Sequence, residues 1–75
     1  MFYIDEGTGD PTFVFVHGFC CCHEDWELQR AHFRKTSRVV ICDLRGHGRS
    51  DQCGESWTID ECANDVVRLL EELNI

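Results

Sequence analysis

The 75-residue sequence predicts an α/β fold, a partial and mostly parallel sheet with flanking helices. Three observations carry that expectation. Two short runs, Thr12-Phe13-Val14-Phe15-Val16 and Arg38-Val39-Val40-Ile41-Cys42-Asp43, are β-branched or aromatic and lack polar alternation, as strands covered on both faces do. A helical pattern lies between them, so the two strands form a right-handed βαβ unit. A longer apolar stripe at helical spacing follows the second strand.

In chain order, Met1 to Ile4 is short and aromatic-rich and reads as a strand whose partner is missing or lies elsewhere. Glu6-Gly7-Thr8-Gly9-Asp10-Pro11 is a turn, because glycine admits positive φ and Pro11 removes a donor. The first strand of the βαβ unit spans 12–17 and is expected to be central in the sheet. A helix over about 24–33 has acidic Glu24, Asp25 and Glu27 early and basic Arg30, Arg34 and Lys35 late, which suits the helix dipole. Trp26 and Phe33 share its buried side. The second strand spans 38–43. After a glycine-rich loop from Leu44 to Trp57, Thr58-Ile59-Asp60-Glu61 fits a capping box that opens a helix over about 59–73. Ile59, Cys62, Ala63, Val66, Leu69, Leu70 and Leu73 form its apolar stripe, and Trp57 is placed to staple onto Cys62.

Composition narrows function. A net charge of −7 has the wrong sign for tracking a phosphate backbone or an anionic membrane surface, so no nucleic acid and no membrane partner is expected. No apolar run exceeds four residues, and the acidic N-terminus is unlike a secretory signal. A reducing cytoplasmic location is therefore expected, in which the six cysteines stay free thiols. One core of this size rarely yields more than about 3 to 5 kcal/mol.

Two loops hold the candidate chemistry. His17-Gly18-Phe19 follows the carboxyl end of a strand, where open α/β sheets bind ligands. Gly18 permits a sharp turn that leaves the Phe19 N–H free to face a developing oxyanion; alternatively Gly18 only eases the turn and His17 holds the loop by hydrogen bonds. Asp43-Leu44-Arg45-Gly46-His47-Gly48-Arg49-Ser50-Asp51 follows the other strand. Its Gly46-x-Gly48 pair is not a dinucleotide fingerprint, because the third glycine would fall at Asp51 and no helix starts there. A rigid turn with two positive-φ glycines, braced by Asp43 and Arg45, is expected instead. Cys20-Cys21-Cys22-His23, with His17, offers zinc ligand types but no C-x-x-C spacing, and would need help from Cys42, Cys53 or Cys62. A cysteine nucleophile paired with His23 is a weaker alternative, against the reading of Cys20, Cys21 and Cys22 as small loop residues. Cys42 and Cys62 read as core, and His32 as solvated.

Taken together, strand-His17-Gly18-Phe19, Trp26 and Asp43-x-Arg45-Gly46-His47-Gly48-x-Ser50 resemble the N-terminal part of the α/β-hydrolase fold, in its esterase, haloperoxidase and epoxide-hydrolase-like branch. The resemblance implies a serine hydrolase acting on small ester-like substrates once completed, with Phe19 as one oxyanion-hole donor and His17 and Gly18 shaping its loop. It also implies what is missing: a Gly-x-Ser-x-Gly nucleophile, acid and catalytic histidine, since Ser37, Ser50 and Ser56 lack flanking glycines. No metal or cofactor is implied. Strand 12–17 would then border the strand carrying the nucleophile, leaving an open edge for self-association or a partner strand, and leucines of the second helix exposed. The isolated chain is expected to be an inactive single partial domain over 1–75. The alternative is a non-catalytic binding module using the Cys and His cluster for zinc, or that edge for a partner. Zinc titration followed with a thiol probe separates the two: the hydrolase reading expects no protected thiols, the zinc module several.

Overall fold

The computed structural model describes residues 1–50 and 57–75. The expectations placed on Asp51, Cys53 and Ser56 lie outside the described residues. Three strands, β1 (Tyr3–Glu6), β2 (Phe13–Val16) and β3 (Val39–Cys42), form one sheet in the order β1-β3-β2. A 3-10 helix (His23–Trp26) runs into helix α1 (Glu27–Phe33) between β2 and β3, and helix α2 (Ile59–Glu72) follows.

Burial decides which strand is central. All four residues of β3 are fully buried, whereas β2 is only half-buried and its Val16 is 41% exposed. Among the described residues β2 is therefore an edge strand, which corrects the expectation that it is central. Its apolar run reflects one covered face and a part-open one. The N-terminal strand finds its partner in β3: β1 pairs antiparallel with it, Tyr3 opposite Cys42 and Glu6 opposite Val39. The sheet is thus mixed, with one parallel and one antiparallel pairing.

Because side chains alternate across a strand, β3 serves two layers. Val40 and Cys42 meet Leu69 of α2, with Val14, Val66 and Leu73 packed around them. On the other face Phe13 packs tilted against Phe33 at 4.4 Å and Phe15 stacks on Trp26 at 4.9 Å, so Trp26 and Phe33 do share the side that faces the sheet, both half-buried. The helix expected over 24–33 starts one residue early as a tighter 3-10 turn and becomes α-helical only at Glu27, because His23 is drawn inward against the second loop. In α2, Thr58 Oγ1 accepts the Glu61 N–H at 3.0 Å, as the capping motif requires, and its hydroxyl donates to the Glu61 carboxylate. Cys62 and Leu69 are buried, but Ile59 and Ala63 at one flank of the expected stripe stand exposed, since three strands cover only part of that face. Trp57, ahead of the cap, lies edge-on to Phe19 at 5.2 Å.

Ion pairs fasten the periphery. Arg30 forks onto Glu6 at 2.6 and 3.2 Å, and Arg38 onto Asp5 at 2.9 and 2.7 Å, tying β1 to the segments flanking it. These are partly exposed and each contributes on the order of 1 kcal/mol or less. Among the described residues no helix is long and apolar enough to cross a membrane.

The buried β3 should dominate stability. Ile41→Ala is expected to cost about 2 to 5 kcal/mol in urea unfolding, while Leu28→Ala, at a position 83% exposed, should stay within about 0.5 kcal/mol. Equal losses at the two sites would contradict this core.

Candidate functional site

Register builds the site. In the parallel pair β2 and β3, Val16 lies opposite Cys42, so the chain leaves both strands at one level and the His17 and Asp43 loops run side by side. Two imidazoles join them. His17 is buried, and its Nε2 accepts the Leu44 N–H at 2.9 Å. An accepting Nε2 places the proton on Nδ1, which donates to the Gly18 carbonyl at 2.7 Å. His47 repeats the arrangement from the opposite loop: Nε2 accepts the Cys20 N–H at 3.0 Å and Nδ1 donates to the Arg45 carbonyl at 2.9 Å. In both rings this hydrogen-bond pattern leaves Nε2 as the acceptor and Nδ1 as the donor.

The loop between them turns at Cys20, whose φ of +66° is in the left-handed region that L side chains rarely occupy. Gly18 does not supply the turn as expected. It is absent from the positive-φ glycines, and a Cβ there would meet only Cys21 Sγ at 4.0 Å. Closing the turn at Cys20 sends the Cys20 N–H to His47 and the Cys21 N–H to the Gly18 carbonyl. The Phe19 N–H alone of the three is donated to no described residue. The Phe19 ring is 69% exposed and lies edge-on to His47 at 5.6 Å and Trp57 at 5.2 Å. With Cys20, Cys21 and Arg45 these rings line an open cleft of about 480 Å³.

Asp43 holds the second loop. It is fully buried, yet each carboxylate oxygen is satisfied: Oδ1 accepts the His23 N–H at 2.6 Å, and Oδ2 accepts His23 Nδ1–H and the Arg49 N–H, both at 2.8 Å. Burial pushes its carboxyl up, but the Arg49 and His23 amides and the His23 ring outweigh that and hold it below the ordinary carboxylate range. Its main chain is tied as well. The Asp43 N–H donates to the Phe2 carbonyl at 3.0 Å, and the Ser50 hydroxyl donates to the Asp43 carbonyl while accepting the Phe2 N–H. Gly48 is obligatory: its φ is +50°, and a Cβ would lie 2.3 Å from Asp43 Oδ2. Arg45 braces the same loop onto α2, forking to Asp65 at 2.7 and 2.9 Å and reaching Glu61 at 2.7 Å. That guanidinium holds the Asp65 carboxyl below its usual range. The rigid turn expected of Asp43, Arg45, Gly46 and Gly48 is therefore present, with Gly46 also at positive φ.

Other candidates are not assembled. His17 has both ring nitrogens engaged and His23 turns its Nδ1 to Asp43, so neither joins the cysteines. Among the described residues no three His, Cys, Asp or Glu side chains are grouped to hold a metal ion. Cys20 and Cys21 are exposed, Cys22 is half-buried, and Cys42 and Cys62 are buried. Ser37 is buried and the Ser50 hydroxyl is committed to Asp43. His47 and Trp57 are the site residues that motif spacing missed. Their only signal was a histidine between two glycines and an aromatic just ahead of a helix cap.

A family model described as the alpha/beta hydrolase fold matches residues 11–75. A bifunctional esterase/perhydrolase of Acinetobacter calcoaceticus is 40% identical over 77 aligned positions, covering 100% of this chain and 28% of that protein. A non-heme chloroperoxidase of Burkholderia pyrrocinia is 38% identical with the same coverage. Among solved structures, Est816, described as an N-acyl homoserine lactone degrading enzyme, superposes with a TM-score of 0.92 at 38% identity, covering 99% of this chain and 28% of that one. The chain thus spans little more than a quarter of the length of these relatives.

Asp43 sets the expected pH response. Its folded carboxyl lies below the unfolded value of about 3.9, so its stabilisation is full at neutral pH and is lost as pH falls through the lower folded value. Asp43→Asn should cost about 2 to 3 kcal/mol at pH 7 and flatten the acid limb of stability against pH. An unchanged acid limb would contradict the role given to this carboxylate.

Proposed function

The chain belongs to the alpha/beta hydrolase fold family, corresponding to its N-terminal part, and on that premise we propose that it is a partial domain carrying the oxyanion-stabilising loop of a serine hydrolase for esters or related bonds. The observation that carries this reading is the Phe19 amide, which donates to no described residue while the next two amides, Cys20 and Cys21, are engaged, in a residue that lines the cleft. When a nucleophile adds to an ester carbonyl, the carbonyl oxygen gains a negative charge. A donor already fixed towards that position needs no reorganisation as the charge develops. His17 and His47 act as positioning residues: each ring accepts one main-chain N–H and donates to one carbonyl, locking the two loops together. Gly18 leaves the space beside Phe19 open. The relatives that are an esterase/perhydrolase and a lactone-degrading enzyme support carbonyl substrates.

The remaining parts come from elsewhere in such an enzyme. The 75 residues contain no Gly-x-Ser-x-Gly, and the family's second oxyanion donor is the residue after that serine. Ser37 and Ser50 are both unsuited to attack, the first by burial and the second by its bond to Asp43. The free edge of β2 is where an adjoining strand would add, and in its absence a second copy could pair there.

By itself the chain is expected to leave an activated ester unhydrolysed. Substituted for the matching segment of the Acinetobacter calcoaceticus esterase/perhydrolase, it should support turnover. In that chimera Phe19→Pro, which removes the N–H, should lower kcat by about 10²- to 10³-fold, while Phe19→Ala, which keeps it, should leave kcat within a few-fold. Equal activity of the two variants, with unchanged circular dichroism, would remove Phe19 from this role.

A further inference from the structure

Two cysteines line the same cleft as Phe19. Cys20 and Cys21 are both free and exposed, and both line the cavity of about 480 Å³. As consecutive residues their Cα atoms are about 3.8 Å apart. Beside them the Phe19 and Trp57 rings, 5.2 Å apart, make an aromatic wall. Because no three ligand side chains are grouped among the described residues, a bare ion that needs three or four protein ligands is not served. A soft centre that brings its own carbon substituent and needs only two sulfurs is served.

We propose that Cys20 and Cys21 form a dithiol site for aryl-substituted trivalent arsenicals, the arsenic bridging the two sulfurs and the aryl group lying in the cleft against the wall formed by Phe19 and Trp57. Thiol sulfur is the matching soft donor. The step involves no redox change: arsenic remains trivalent and keeps its carbon bond, two As–S bonds form, and the arsenoxide oxygen leaves as water with the two thiol protons. Cys21 enters as a thiol. Its Sγ–H donates to the Phe19 carbonyl at 3.6 Å and the Asp25 carboxylate beside it pushes its ionisation up. The other cysteines fit less well, since Cys22 is half-buried and Cys42 and Cys62 are enclosed. Binding does not depend on the hydrolase reading. Only one consequence does: an aryl group in the cleft would cover the Phe19 amide.

Phenylarsine oxide added to the 75-residue chain tests the site by intact mass, peptide mapping and reversal. A one-to-one adduct spanning Cys20 and Cys21 is expected, reversed by a dithiol and resistant to a monothiol. Cys20→Gly, which suits the positive φ there, and Cys21→Ser should each weaken capture on the order of a hundredfold, the loss of one arm of a chelate. Cys22→Ser and Cys53→Ser should not. Arsenic bridging to Cys22 or Cys53, absence of an adduct, or undiminished capture by a folded Cys20→Gly variant would overturn the proposal. Each outcome is read without turnover, so it stands apart from failure of the hydrolase reading.

Discussion

A buried carboxylate with both oxygens hydrogen-bonded holds this molecule's two loops in place. Asp43 has no solvent contact, and an unpaired charge there would cost several kcal/mol. Its donors come from three directions: the main chain and ring of His23 in the 3-10 helix, and the Arg49 amide in its own loop, with the N-terminal strand reached through Phe2 and Ser50. The side chain thus joins the 3-10 helix to the second loop, and the main chain of the same residue joins both to the N-terminal segment. For so small a core this is an economical use of polar bonds, since a fully connected network specifies a unique arrangement where apolar packing alone is thin.

From that anchor the site follows by geometry. The parallel register of β2 and β3 brings two strand ends to one level, Asp43 shapes the second loop, and the second loop presents His47 to the first. His47 and His17 then engage backbone groups on either side of Phe19, whose own amide donates to no described residue. The polar network thus orders both loops around the Phe19 amide, the donor of the proposed function. Placing Arg45 between α2 and the cleft links that donor to the helix that caps the sheet.

Much of this was legible in the residues. The β-branched run at Val39–Cys42 is the most buried part of the molecule, the Thr58 cap opens α2 where expected, and Gly46 and Gly48 occupy positive φ. What escaped had non-local causes. β1 pairs with a strand more than thirty residues away, which local composition cannot encode. Apolar continuity at Phe13–Val16 cannot distinguish two covered faces from one, so composition alone reads it as central and only the family resemblance points to its open edge. The turn after His17 was assigned to Gly18 because glycine tolerates positive φ, yet the left-handed residue is Cys20, held there by an imidazole from another loop. His23 looked like a loop residue or metal ligand because nothing in its neighbourhood announces the buried carboxylate twenty positions on.

Amide hydrogen exchange followed residue by residue tests the central claim most directly. The amides of Cys20, His23, Leu44 and Arg49 should be protected together and Phe19 should exchange fast, and Asp43→Asn should release His23, Arg49 and Cys20 in concert. A Phe19 amide as protected as its neighbours, or an Asp43→Asn effect confined to His23 and Arg49, would contradict the account.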